Sequence, residues 1–326
     1  MGGKVIAIVN MKGGVGKTTL SVALSESLGV MAKKHVLVID LDAQASCTFA
    51  LIGKAGLQDA RKNYKHSYQL FRTFLLSIGE TLPVPEDTPG GPVYDESWIA
   101  RVTRRQKITQ PAPGPIRDLL VPKASGLVNP KPSLSLLPAI PELQVLEREI
   151  MFKLGQHASS SENPDVRIAR FFKSHLDWSR ANFDVVIIDC PPGISAFTAA
   201  AIRDADIVLA PVMPDYLSLL GLEVFAQSVL RPLGQSLGRN TPAYAVINRV
   251  MATPSHRQAK EDIKRLCSGM NDVLSLFPQE IEQSPDLQSA SDGADMNVDI
   301  RRKYGNAIGT LEDVVRNTLD LCEGRR

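Results

Sequence analysis

The segment VIAIVNMKGGVGKTTLSVAL, residues 5–24, constrains this chain more than any other. A short β-branched run leads into a turn holding Gly13, Gly14 and Gly16. Apolar residues at helical spacing follow: Leu20, Ala23, Leu24 and Leu28. A strand, a glycine turn and a helix start together form a cradle for an anion. The glycines let backbone N–H groups face it, and the helix N-terminus adds its positive dipole. The common phosphate-loop pattern asks for a glycine, any four residues, then Gly-Lys-Ser/Thr. Gly16-Lys17-Thr18 supply the end, but Met11 stands where the first glycine belongs, and a second lysine, Lys12, follows it.

The rest of the chain repeats the strand–helix alternation. Apolar runs at 35–42, 134–139, 183–193, 205–214 and 242–250 have the length and β-branched content of buried strands. Helical patterns cover 142–154, 167–182, 255–270 and 306–322. Strands apolar on both faces and separated by helices predict an α/β fold. It is a doubly wound, mostly parallel β-sheet flanked by helices, in one domain spanning 1–326. Residues 61–131 break the rhythm. They hold eleven Lys/Arg against six Asp/Glu, and ten of the 22 prolines fall between Pro83 and Pro132. Proline resists helix interiors and central strands. The stretch is therefore expected to be a Pro-rich basic insertion packed loosely on the surface, with one helix around residues 96–108. A basic arm that touches DNA or a partner is the competing reading.

Bulk composition narrows the function. A net charge of +2 confines any nucleic-acid surface to a local patch. Cys47, Cys190, Cys267 and Cys322 are scattered and form no CxxC pair, which argues against a metal site or disulfide framework. No apolar run approaches the roughly 20 residues that span a bilayer. Strand-like sequence begins at Val5, leaving no room ahead of it for a signal peptide or a helix-turn-helix. A cytoplasmic protein without site-specific operator binding is the expectation.

Within the cradle, Lys17 would neutralise β- and γ-phosphate oxygens, Thr18 would place a hydroxyl on Mg²⁺, and Thr19 would reach the α-phosphate. Partners belong at the carboxyl ends of neighbouring strands. Asp189, closing VVIID, is the expected Mg²⁺ acid. Asp40 and Asp42 close VLVIDLD and, two apart, share a face. One is suited to orient the attacking water and the other to hold the Mg²⁺ shell; either would also serve as a cap for the following turn. CPPG after Asp189 makes a stiff turn suited to a γ-phosphate switch.

KGGVGKTT, VLVIDLDAQAS, FDVVIIDCPPG and APVMPDYLSLLGLEVF occur in that order. Together they resemble the deviant Walker A P-loop ATPases of the ParA/MinD group, and the ParA (Soj-like) branch most closely. The resemblance covers residues 4–58 and about 134–320. It implies ATP and Mg²⁺ as cofactors, with Gly13, Gly14, Val15, Gly16, Lys17, Thr18 and Thr19 as the phosphate loop. It implies that Lys12 reaches across an ATP-sandwiched homodimer to the partner's phosphates, a cation delivered only on dimerisation. Catalysis then falls to Lys12, Lys17 and Asp42, the last as the water-positioning acid. Thr18, Asp40 and Asp189 surround the metal. Asn248 would read adenine, with Pro211, Met213, Pro214 and Pro278 near the base.

Departures matter too. DAQAS stands where the family usually has DPQGN, so Ala43 loosens that turn. The arginines that Soj-like proteins carry after their Ile-Pro pair, and use on DNA, are missing from FPQEIEQSPDL. Replacement cations would be Arg249, Arg257, Lys260, Lys264 and Arg265, four of which share a helical face, with Arg301, Arg302 and Lys303 in addition. A solvated charged face is the bland alternative. The function implied is a nucleoid-associated ATPase. It would coat DNA non-specifically and, with a ParB-like or cargo-adaptor partner, position a plasmid, chromosome region or protein cargo. A MinD-like membrane cycle would need a basic amphipathic tail, yet GTLEDVVRNTLDLCEGRR mixes four acids with its apolar residues. A metabolic synthetase or iron–sulfur reductase on the same scaffold would need a second pocket or bridging cysteines, neither of which is evident.

Overall fold

The computed structural model describes residues 2–77, 115–127, 134–156, 164–237, 241–290 and 298–325. The helix expected around 96–108 lies outside the described residues. Eight strands form one sheet: β1 (Lys4–Ile8), β2 (Val36–Asp40), β3 (Val121–Pro122), β4 (Leu134–Leu137), β5 (Val185–Asp189), β6 (Ile207–Val212), β7 (Ala243–Ile247) and β8 (Ser275–Leu276). Their order is β3-β4-β2-β5-β1-β6-β7-β8. Every pairing is parallel except β3 with β4 at one edge. That edge is where a strand containing Pro122 loses least, since proline cannot donate to a ladder.

Both faces are covered, which is why the strands are apolar throughout. Side chains alternate by strand geometry: Val5, Ala7 and Val9 enter one core, Ile6 and Ile8 the other. The second core is closed by α1 (Lys17–Val30) and, among the last helices, by Leu311, Val314 and Val315. The first core takes in α3 (Ser67–Ser77), α5 (Leu143–Gln156), α6 (Pro164–Asn182), α7 (Ala196–Asp204) and α8 (Tyr216–Phe225). Two remaining helices near the sheet are α2 (Ser46–Lys62) and the short α4 (Pro115–Leu119).

The loosely packed excursion expected from 61 onward is corrected for its described parts. Leu70, Phe71, Phe74 and Leu75 of α3 are buried, and Phe71 stacks on Phe197 of α7 with ring centroids 3.7 Å apart. Ile116 and Leu119 of α4 join the same core. Apolar residues at 70, 71, 74 and 75 make one helical stripe, and its burial outweighs the basic character of the surrounding sequence. The described parts of the expected insertion, in α3 and α4, thus belong to the domain's core layer.

Candidate nucleotide site

Strand β1 lies centrally: the chain leaves it toward β2 on one side, and after β5 crosses to β6 on its other side. The crevice at the carboxyl ends of β1, β5 and β2 is therefore the switch point where open α/β sheets bind ligands. Parallel register sets Ile8 beside Asp189, and Asp189 beside Asp40. All three strands thus end level with one another under the phosphate loop.

The floor of this crevice is buried and hydrogen-bonded. Asp189 is buried; its Oδ1 accepts from Ser21 Oγ at 2.7 Å and its Oδ2 from Thr18 Oγ1 at 2.9 Å. Burial pushes its pKa up to about 6, against the pull of those two hydroxyls. Lys17 enters at the start of α1 and its ammonium donates to Lys12 O at 2.9 Å. Burial lowers the Lys17 pKa, and Asp189 and Asp42 oppose that. A buried cation whose direct hydrogen-bond partner is a neutral carbonyl is under-compensated, which favours an anion beside it. A Cβ built at Gly13 or Gly14 would meet nothing within 4 Å, so the crest of the loop borders open space. Thr18 and Asp189 converge as two hard oxygen donors, the set that suits Mg²⁺. Val15 is buried beneath the loop, and Thr19 sits half-buried in the first turn of α1.

Asp40, expected near the metal, has both carboxylate oxygens in hydrogen bonds. Its Oδ1 accepts from Asp42 N at 3.0 Å, and its Oδ2 from both Thr48 N at 2.9 Å and Thr48 Oγ1 at 2.6 Å. It holds the turn after β2 and the first turn of α2. Burial and the neighbouring Asp189 raise its pKa well above the usual carboxylate range. Asp42 lies at the crevice edge with Oδ1 accepting from Gln44 N at 2.9 Å.

The rim holds Lys12. Its ammonium donates to Asp215 Oδ1 at 3.0 Å, Asp215 Oδ2 at 3.2 Å and Ser218 Oγ at 2.9 Å. Asp215 is the N-cap of α8 and also accepts from Ser218 N. Burial acts against it, but the Ser218 hydrogen bonds and Lys12 hold its carboxyl below the usual range. Sequence reading missed Asp215, Ser218, Asn10 and Ser21. Asp-x-x-Ser ahead of an apolar run is an N-cap signal that was there to be found; Ser21, on the helix face turned to β5, carries no local signal. Asn10 ties the loop to β6, donating from Nδ2 to Pro211 O at 2.6 Å and accepting from Lys12 N at 3.0 Å.

The β7 side grips the loop from behind. Asn248 donates from Nδ2 to Val15 O at 2.9 Å, and its Oδ1 accepts from Arg249 N. Gly16, at φ 95°, is confined to glycine twice over: a Cβ there would lie 2.1 Å from Asn248 Nδ2. Pro211 is buried, Met213 half-buried and Pro278 exposed, strung along the carboxyl ends of β6 to β8.

The candidate DNA cations are mostly engaged. Arg249 donates to Gly14 O at 2.9 Å, so it belongs to the loop. On α9 (Pro254–Gly269), Lys260 pairs with Glu280, Lys264 with Glu261 at 3.1 Å and Glu280 at 3.6 Å, and Arg265 with Asp262 at 3.2 Å. Arg257 is exposed, with no ion pair among the described residues. Arg301 and Arg302 are exposed as expected, but Lys303 is not a surface cation. It is 3% exposed and salt-bridged to Glu26 of α1 at 2.8 Å. Among the described residues, no group of His, Cys, Asp and Glu is placed to hold a metal without added ligands, and no helix is long and apolar enough to cross a membrane.

Comparison with known proteins gives the family and the fold. The family model described as "CobQ/CobB/MinD/ParA nucleotide binding domain" matches residues 6–294. The chromosome partitioning protein ParA of Myxococcus xanthus is 27% identical over 227 residues, 70% of this chain and 58% of that one. The sporulation initiation inhibitor protein Soj of Bacillus subtilis is 28% identical over 228 residues, 70% of this chain and 65% of that one. The chain thus matches about three-fifths of the length of these relatives. Among solved structures, an ATP complex of McdA from Cyanothece superposes with a TM-score of 0.61 at 18% identity, covering 97% of this chain and 96% of that one. The ParA of pNOB8 bound to nonspecific DNA gives 0.60 at 18%, covering 98% and 99%. Cobyrinic acid a,c-diamide synthase from Mycobacterium smegmatis with ADP and magnesium gives 0.56 at 20%, covering 91% and 98%. At these identities the likeness is one of fold.

Proposed function

Because this chain belongs to the CobQ/CobB/MinD/ParA family of nucleotide-binding domains, we propose that it is a ParA-like ATPase that pairs with a second copy of itself around ATP, binds DNA non-specifically in that state, and lets go on hydrolysis. The observation that carries this reading is the separation of the two lysines. Lys17 is sunk in the floor, where a β- or γ-phosphate would meet it. Lys12 lies at the rim, on an aspartate and a serine of α8, and is free to exchange them for a stronger anion. A cation supplied at the rim stabilises charge on a transferring phosphoryl group only when that group is brought to it. Lys12 of each copy acting on the other's ATP makes dimerisation and catalysis a single event.

The surface beside Lys12 supports pairing. Helix α8 starts at Asp215 and exposes Tyr216 (74%), Leu217 (64%), Leu220 and Val224. Four large apolar side chains on one short helix form a patch that a solvated monomer gains nothing by exposing. Mg²⁺ held by Thr18 and Asp189 would neutralise phosphate charge in the floor. Asp42 at the crevice edge would orient water, and Asn248, Pro211, Met213 and Pro278 would border the base.

DNA contact falls to Arg257, Arg301 and Arg302, because acids of the protein already partner Lys260, Lys264 and Arg265. Binding would be phosphate-directed, without base readout. In the cell such a dimer would lie on the nucleoid, and a ParB-like or cargo-adaptor protein would trigger hydrolysis to move a plasmid, chromosome region or protein assembly. A membrane cycle finds no support: the apolar residues of the last helix, including Leu311, Val314 and Val315, are buried in the second core.

Fluorescence anisotropy on an unrelated duplex, with ATP, ADP or no nucleotide and over a range of salt, tests this reading. Binding that needs ATP and weakens steeply with salt is expected. Equal binding in all three states, or none in any, would overturn it.

A further inference from the structure

We propose that Thr48 is a positioning residue for hydrolysis: through Asp40 it fixes the loop that carries Asp42. The inference rests on the reading of Asp42 as the acid that orients water.

The loop between β2 and α2 spans Leu41 to Ala45, and both of its ends are tied to one carboxylate. Asp40 Oδ1 accepts from Asp42 N, where the loop departs. Asp40 Oδ2 accepts from Thr48 N and Thr48 Oγ1, where α2 begins. Helix α2 has Ala45 at its N-cap, which offers no side-chain acceptor. Asp40, reaching up from the strand below, takes over that duty.

Thr48 does more than accept this cap. Its hydroxyl has one hydrogen, spent on Asp40, and its oxygen accepts from Ala139 N at 2.9 Å. Ala139 follows β4, so the hydroxyl joins the ends of two neighbouring strands to the start of α2. Asp40, Thr48 and Ala139 are each fully buried, so water cannot substitute for any lost partner. Within the loop, Ala45 stands at φ 54°, a left-handed conformation that a residue with a Cβ adopts at a cost. Such a conformation persists where the surroundings over-determine it. The two-ended hold on Asp40 is what over-determines it here, and Asp42 lies between the fixed ends. Asp40, with both oxygens committed, acts on the reaction through Asp42.

Two substitutions separate hydroxyl from shape. Thr48→Val keeps the branched outline and removes the donor; Thr48→Ser keeps the donor and removes a methyl. Thr48→Val is expected to lower kcat about tenfold or more, with ATP affinity unchanged within about twofold, because the misplacement touches orientation alone. Thr48→Ser should restore most of the loss. In the Asp42→Ala background Thr48→Val should cost nothing further, since its effect runs through Asp42. Asp40→Asn gives a second route if the valine variant misfolds, and should also reduce kcat selectively. Hydrogen exchange at the amides of Asp42 and Thr48 reads the clamp without turnover, and should quicken in Thr48→Val. Wild-type kcat in a folded Thr48→Val, equal losses in Val and Ser, or unchanged exchange would overturn the proposal. Wild-type protein that binds ATP without hydrolysing it would instead defeat the ATPase reading, with the exchange result still deciding the clamp.

Discussion

The floor and the rim of the crevice are built on opposite terms. In the floor, Thr18 and Ser21 donate to Asp189, Ser21 also to the Lys17 carbonyl, and Thr48 to Asp40, at 2.6–3.0 Å. Helix α1 and three parallel strands fix their positions before any ligand arrives. At the rim, Lys12 and Asp215 are each about one-third exposed, and their ion pair is of the kind that solvent largely discounts. Floor residues are preorganised for an anion, while the rim pair is cheap to exchange. On the proposed reading, this loop of eight residues carries one lysine for binding and one for a conditional task.

That contrast can be broken at several points. In the floor, Lys17→Ala should weaken ATP binding by about 100-fold or more, since it removes a buried cation from its anion. Isothermal titration calorimetry would read it, and near-normal affinity would mean the floor is not the phosphate site. Lys12→Ala should leave ATP affinity within about threefold but cut turnover about a thousandfold, in the range of cations supplied to phosphoryl transfer. Steady-state hydrolysis at saturating ATP checks that, and unaltered turnover removes Lys12 from the chemistry. Leu217→Asp on α8 should weaken ATP-dependent pairing by about tenfold, since it puts a charge where an apolar contact closes. Sedimentation would show the shift, and ATP binding to the monomer should not change.

A separate effect concerns the scaffold behind both regions. His175 in α6 is buried against Phe171, its two ring nitrogens have no hydrogen-bond partner among the described residues, and burial lowers its pKa to about 4 from 6.5. The unfolded chain therefore takes up a proton that the folded one refuses, and stability falls as pH drops from about 6.5 toward 4. His175→Leu removes that loss. Its stability relative to wild type should rise by about 3 kcal/mol between pH 7 and pH 4, measured by urea unfolding. Asp189 works in the opposite sense as it protonates near pH 6, but it is common to both proteins and cancels in the difference.

Much of the floor was legible because its signals are local. β-Branched runs ending in aspartate gave β2 and β5, and the glycine turn before Lys17 gave the loop. The rim was less so. Helix α8 is apolar on nearly every face, YLSLLGLEVF, and shows no 3.6-residue contrast that would mark a helix or distinguish its exposed side. The two-residue strands β3 and β8 are too short to carry a period. Charge was the poorest guide, because pairing is a long-range property. Lys303 meets Glu26 from 277 residues away, and Lys260 meets Glu280 from a neighbouring element. Asp40 shows the same limit at close range: its sequence neighbours suggested metal, whereas Thr48 in the following helix commits it to a clamp.

Sedimentation equilibrium of wild type and Lys12→Ala, each with Mg²⁺ and either ADP or a non-hydrolysable ATP analogue, tests the division between floor and rim most directly. Wild type should double from the 35.5 kDa chain mass with the analogue and stay monomeric with ADP, and Lys12→Ala should bind the analogue yet stay monomeric. A wild type that remains monomeric with the analogue bound, or a Lys12→Ala that dimerises as wild type does, would contradict it.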